Sequence, residues 1–208
     1  MSRDGTVRAV FFDFGGVIAR LDRELLAAFE QRHGLPGGSF LKALYTIPEW
    51  KALEIGEGTE DIWMEAAKRK LDEFAGRTLP DMSEERATMW RTLDMDVVGL
   101  AQQLAAGYDV GVLSNATPRL ESELNDYHKL GGVFKVIVNS SRVGVAKPDE
   151  RIYRLAAERM GVEPSACVHI DDLAHNVEGA RQAGFYGIHH RGDYAALERE
   201  LRSLGVEV

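Results

Sequence analysis

Four groups of residues carry side chains able to do chemistry, and each stands beside an apolar run or a turn. Asp13 follows the run at 7–12, Ser114-Asn115 follows 108–113, Lys147 precedes Pro148-Asp149, and Asp171-Asp172 follows 166–170. Each has an ordinary structural reading. An Asp after a strand is a common turn former or helix cap, Ser and Asn also cap helices, and most lysines are simply solvated. Asp171-Asp172 is the most telling, because adjacent carboxylates repel unless a cation or hydrogen-bond donors compensate them. A hard, oxygen-seeking Mg²⁺ is the natural compensator. His169 and His175 lie close in sequence and would suit a transition metal, but a lone histidine in a strand or loop is commonly structural. Cys167, inside the same apolar run, reads as a small core residue.

Brought together, the four groups make one chemical unit. Asp13 would be a carboxylate nucleophile, and with the acidic pair it would hold Mg²⁺. The Ser114 hydroxyl, the Asn115 amide and the Lys147 ammonium would hold an anionic group beside it. That set suits phosphoryl transfer through an aspartyl-phosphate. Gly15-Gly16, two residues past Asp13, let the backbone bend sharply and approach a ligand.

The surrounding elements would bring them together. Short β-branched and aromatic runs at 7–12, 108–113, 133–139, 166–170 and 185–189 read as buried strands. Helical spacing lies between them: Val97, Leu100, Ala101 and Leu104; Leu120, Leu124 and Tyr127 after Thr117-Pro118; Ile152, Leu155, Ala156 and Met160; Val177, Ala180 and Ala183; Leu197, Leu201 and Leu204. Alternation of strand and helix implies an α/β fold, a doubly wound parallel sheet, with ligands at the carboxyl ends of its strands. The segment 21–93 differs. Asp22, Ser39, Thr59 and Ser83 precede helical stretches as caps do, and it shows no clear strand. It is too long for an ordinary connection and reads as an inserted helical cap, with 1–20 and 94–208 forming the α/β core.

Composition limits the partners. The 208 residues carry 25 Lys plus Arg against 33 Asp plus Glu, a net charge of −8, which advertises no nucleic-acid surface. One cysteine permits no intrachain disulfide. No stretch approaches the roughly 18 apolar residues of a membrane helix, and the first residues carry no apolar signal-peptide core. The expectation is a cytoplasmic protein without a membrane partner; nothing in the composition sets an oligomeric state.

The order of motifs resembles the haloacid dehalogenase-like (HAD) hydrolase superfamily over nearly the whole chain. Asp13-Phe14-Gly15-Gly16-Val17 matches its first motif, Leu113-Ser114-Asn115-Ala116 the second, Gly144-Val145-Ala146-Lys147-Pro148-Asp149 the third and Ile170-Asp171-Asp172 the fourth. The resemblance implies that Asp13 is the nucleophile, that Asp13, the carbonyl of Gly15 and Asp172 bind Mg²⁺, and that Asp171 supports them. Asp172 is chosen because Asn176, four residues on, falls where the family places a later acid. Ser114, Asn115 and Lys147 would bind the phosphoryl oxygens. Leu53-Glu54-Ile55-Gly56-Glu57-Gly58-Thr59 resembles a recurring turn of the superfamily's helical caps.

One departure stands out. The family's acid/base Asp is here Gly15, as in a branch that includes sugar-phosphate phosphatase-like proteins. The expected function is a Mg²⁺-dependent phosphatase acting on a small phosphorylated metabolite. The alternatives are a haloacid dehalogenase and a non-catalytic phosphate-binding or regulatory protein. Gly15 favours the last, while Gly15 together with a retained Asp172 speaks against the dehalogenase.

Overall fold

The structure, a computed structural model, describes residues 6–81, Met89 and 92–208. Five parallel strands form the central sheet: β1 Ala9–Phe12, β4 Asp109–Ser114, β5 Val136–Asn139, β6 Cys167–Asp171 and β7 Tyr186–His189, in the order β5-β4-β1-β6-β7. This is the doubly wound α/β arrangement expected. The third run begins later than its composition implies, because Val133 closes a turn on Leu130 before the strand starts.

Both faces of the sheet are covered, which is why the strand sequences are apolar without alternation. On β1, Val10 and Phe12 pack with Val97, Leu100 and Leu104 of the helix Met95–Leu104, while Ala9 and Phe11 pack with Ile152, Tyr153 and Ala156 of the helix Glu150–Met160. The period of two along one strand thus feeds two separate cores. Cys167 lies wholly in the second, and burial pushes its thiol up to about 12, which leaves it an inert packing group.

Helices at Arg23–His33, Ser39–Tyr45, Pro48–Leu53 and Glu60–Ala75 follow β1 and bury a third, aromatic-rich cluster that includes Phe29, Phe40, Trp50 and Trp63. Asp22 and Thr59 cap their helices through side-chain oxygens, each such cap contributing about 1 kcal/mol. Ser39 is instead the first helical residue, behind Gly38. Ser83 lies outside the described residues. The expectation of no strand in 21–93 is corrected: β3, Thr92–Leu93, pairs antiparallel with β2, Ala19–Arg20. Two residues are too few to show a period, so the sequence pattern could not reveal this clasp. Thr117-Pro118 does not open a helix either. Thr117 accepts the Arg119 N–H at 3.3 Å in a turn, and helix begins at Leu120 before widening into a π-turn over Glu123–Tyr127.

Candidate active site

Parallel register sets the level of the site. Phe12 pairs with Val112 on one side and Ile170 on the other, so Asp13, Ser114 and Asp171 all emerge at the carboxyl edge of adjacent strands. The Asp13 N–H donates to the Ile170 carbonyl at 2.9 Å, fixing the chain where it leaves the sheet. Asp13 Oδ1 accepts the Phe14 N–H at 2.7 Å and the Ser114 hydroxyl at 2.6 Å.

Lys147 reaches into this edge from the loop after β5 and is fully buried. Its ammonium lies 3.0 Å from Asp13 Oδ2 and 2.6 Å from Asp171 Oδ2, and donates to the Leu113 carbonyl at 2.9 Å. All three ammonium protons therefore have acceptors. Burial would lower the lysine's pKa, but the two carboxylates more than reverse that and hold it raised. Asp13 shows the opposite balance. Burial, reinforced by Asp171 and Asp172, outweighs Lys147 and Ser114 and raises its carboxyl to about 7. Asp171 also meets a burial penalty, but Lys147 and the His169 contact reverse it and hold the carboxyl well below its ordinary range.

The two adjacent aspartates have different surroundings. Asp171 is fully buried; its Oδ2 takes Lys147, His169 Nε2 at 3.0 Å and Asn176 Nδ2 at 3.2 Å, and its Oδ1 takes the Leu173 N–H at 2.8 Å. Asp172 is only half-buried, and burial together with Asp171 raises its pKa. It lies against Gly16, whose φ is +85° and where an added Cβ would sit 2.4 Å from the Asp172 carboxylate. Only glycine fits there. Gly15 has neither constraint: nothing lies within 4 Å of an added Cβ, and its φ is not positive.

Carboxylate oxygens of Asp13, Asp171 and Asp172 lie within 4.8 Å of one another, the one such cluster among the described residues. Three carboxylates facing one buried ammonium leave negative charge uncompensated, and an all-oxygen donor set suits a hard cation. The observed geometry therefore fits Mg²⁺ better than a transition metal; His169 is committed to Asp171, and His175 is exposed.

Asn115 is placed differently from a simple anion donor. Its Oδ1 accepts the Lys147 N–H at 2.8 Å, and its Nδ2 donates to the Lys147 carbonyl at 2.9 Å. The side chain ties the loop after β4 to the loop carrying the lysine. Asn139 and Ser140 add to that tie: Asn139 Nδ2 donates to the Thr117 carbonyl at 2.9 Å, and Ser140 Oγ accepts the Ala116 N–H at 3.1 Å. Asn139 and His169, as a partner of Asp171, were not read from the sequence as site residues; both are polar side chains buried near the ends of strands. Glu54, at the end of the helix Pro48–Leu53, was read only as part of the turn at 53–59.

A family model for haloacid dehalogenase-like hydrolases matches residues 7–184. The chain belongs to that family. This HAD-like hydrolase is 38% identical over 103 residues to the phosphatase MT3486 of Mycobacterium tuberculosis, covering 48% of each chain. It is 30% identical over 107 residues to (S)-2-haloacid dehalogenase 4A of Burkholderia cepacia, covering 48% of this chain and 46% of that one. A HAD family enzyme from Bacteroides thetaiotaomicron, solved as an Asp-to-Ala mutant with magnesium and inorganic phosphate, superposes with a TM-score of 0.68 at 20% identity, covering 92% of this chain and 98% of that one. The chain spans less than half the length of the first curated relatives it matches. No described helix is long and apolar enough to cross a membrane.

Proposed function

We propose that this HAD-like hydrolase is a Mg²⁺-dependent phosphatase of small phosphorylated metabolites that works through an aspartyl-phosphate on Asp13. The observation that carries the reading is the buried Asp13–Lys147–Asp171 array with Ser114 on one side and the half-buried Asp172 on the other. Asp13, Asp172 and the carbonyl of Gly15 would hold the metal, which when bound supplies positive charge to a transferring phosphoryl group. Asp171 is a poorer ligand, because its oxygens are already taken by Lys147, His169, Asn176 and a backbone N–H.

The chain's own groups divide the work. Lys147 and the Ser114 hydroxyl hold phosphoryl oxygens, and the contact from Asn115 falls to its backbone N–H, since its side chain is engaged. An Asp13 oxygen attacks phosphorus; the ester P–O bond breaks, and the leaving oxygen keeps the electron pair and takes a proton from a water molecule at the site, whose hydroxide is neutralised by the proton released when the second water forms hydrogen phosphate. Water then attacks the same phosphorus, breaks its bond to Asp13 and returns the carboxylate. Gly15 supplies no acid for the first proton and no base for the water. The helices at 23–75 form a cap over the strand ends and exclude bulk water.

The test is hydrolysis of p-nitrophenyl phosphate with Mg²⁺ and with EDTA, beside halide release from 2-chloropropionate. Expected is phosphate release that needs the metal and falls by about 10⁴ or more in Asp13→Asn. Halide release without metal would replace this reading with a dehalogenase. Phosphate binding without turnover would replace it with a non-catalytic binder.

A further inference from the structure

In an in-line displacement the leaving group lies opposite the nucleophile. Asp13 attacks from the sheet edge, so the leaving group must face the helices that follow β1. Among the described residues of those helices and their turns, two carboxylates are buried, Glu30 and Glu54. Glu30 is spent within its own cluster, accepting the Gly38 and Phe40 N–H groups at 2.9 Å each. Glu54 points the other way. Its Oε2 lies 3.3 Å from Asn115 Nδ2, one residue past Ser114, and its Oε1 takes Lys51 Nζ at 2.7 Å.

The turn that carries Glu54 is seated on the strand-end loops. Gly56 has φ +79°, and an added Cβ there would meet the Ser141 carbonyl at 2.4 Å, so backbone packs on backbone. Arg119, in the loop after β4, reaches Glu60 at 3.4 Å across the same junction. Glu54 is thus 4% exposed, held by the junction itself, with one long hydrogen bond on Oε2 and an exposed lysine on Oε1.

Resting on the phosphatase reading above, we propose that Glu54 is a specificity-determining residue that selects monophosphates whose leaving group carries a hydroxyl or ammonium beside the ester and rejects those carrying a second anion. A carboxylate only accepts hydrogen bonds, so a hydroxyl or ammonium is what Oε2 can take in place of its long bond to Asn115. A carboxylate or second phosphate at that position would meet Glu54 in a buried setting, where like charges are costly.

The experiment compares kcat/KM with Mg²⁺ for matched pairs, 2-hydroxyethyl phosphate against phosphoglycolate and phosphoethanolamine against phosphoglycolate, in the wild type and Glu54→Gln. Gln keeps the size and can still accept the Asn115 amide, so the junction is retained; Glu54→Asp serves as the charge-conserving control. The wild type should prefer the hydroxyl or ammonium member of each pair. Glu54→Gln should lower that member and raise the anionic one, shrinking each ratio by about tenfold, while Glu54→Asp keeps the preference. Opposite movements within a pair cannot come from a loosened fold, which would lower both. Equal changes in both members, or a ratio that survives in Glu54→Gln, would overturn the inference while leaving the phosphatase reading intact. No hydrolysis of any phosphate ester by the wild type, p-nitrophenyl phosphate included, would overturn both.

Discussion

At the strand ends Lys147 is fully buried between two carboxylates, whereas under the helices at 23–75 the cation beside Glu54, Lys51, is 66% exposed. The first arrangement is held from every side. Strand register sets the heights of Asp13, Ser114 and Asp171, and Asn115 locks the lysine's backbone. The second rests on a turn docked through Gly56 and a few polar contacts. Apolar packing differs in the same way: the sheet feeds two cores from alternate faces, while the helices close on their own aromatic cluster. The proposed division, chemistry on the strand ends and selectivity on a docked turn, would let substrate preference change without disturbing the reacting groups.

Removing Lys147 should produce the largest effect of any single change at the strand ends. Lys147→Met leaves Asp13 and Asp171 buried without their common cation, and breaking such a pair costs about 3–5 kcal/mol. Asp13 escapes part of that by taking a proton, so the loss should be greater at pH 8 than at pH 5.5. Urea denaturation without metal at both values measures it. By contrast, Lys51→Met should cost no more than about 1 kcal/mol, because its pair is exposed on the lysine side. Equal costs would erase the contrast between the two regions.

The adjacent aspartates should separate next. Asp172→Asn should weaken Mg²⁺ binding by about 10² and Asp171→Asn by about 10, with the stability loss reversed in order. The motive is that Asp171 is saturated by protein donors and Asp172 is not. Calorimetric Mg²⁺ titration and denaturation of both variants decide it; the reverse order of affinities would move the ligand assignment to Asp171.

Gly15→Asp should sharpen the chemistry without strain. Its Cβ position is open and its φ is not positive, so the substitution meets no backbone penalty. A positioned acid is worth roughly 10² or more in rate, and the gain should be concentrated in alkyl esters, whose leaving oxygen needs a proton most. A rate series across leaving groups tests this. Equal gains for aryl and alkyl esters would mean that the leaving group is not what Gly15 limits.

Much of this was legible in the sequence because an α/β sheet delivers residues just past its strands to one edge. Asp13, Ser114 and Asp171 needed only the apolar runs before them to be placed. Lys147 was legible from its neighbours Pro148 and Asp149, but its complete burial was not, since composition cannot tell an enclosed lysine from a solvated one. The Asn115 side chain looked like an anion donor and proved to be a tether, because the backbone it binds lies 32 residues away. Glu54 was visible only as part of a turn. Its contact with Asn115 spans 61 residues and depends on how the helices dock, which local spacing does not encode.

The smallest expected effect concerns pH and metal together. Without metal, Asp13 has a folded pKa near about 7 against 3.8 for an ordinary aspartate, and Asp172 is raised as well. A raised acid penalises folding once it must ionise, so stability is lost as pH rises from its unfolded pKa to its folded one, here between 3.8 and about 7. His169, His128 and His190 act oppositely. Burial lowers their pKa values, so the fold gains stability as pH rises through their ordinary 6.5. The metal-free melting temperature alone therefore mixes two trends. The shift produced by Mg²⁺ separates them, because the histidine contributions enter with and without the ion and cancel in the difference. A cation bound by carboxylates must displace their protons below pH 7, which weakens binding about tenfold for each pH unit per proton displaced. The Tm gain from a fixed Mg²⁺ concentration should thus be several degrees larger at pH 8 than at pH 5.5, and the difference should shrink in Asp172→Asn. A gain that is the same at both values would mean that the carboxylates are already ionised in the metal-free protein, and that Lys147 alone is enough to keep them so.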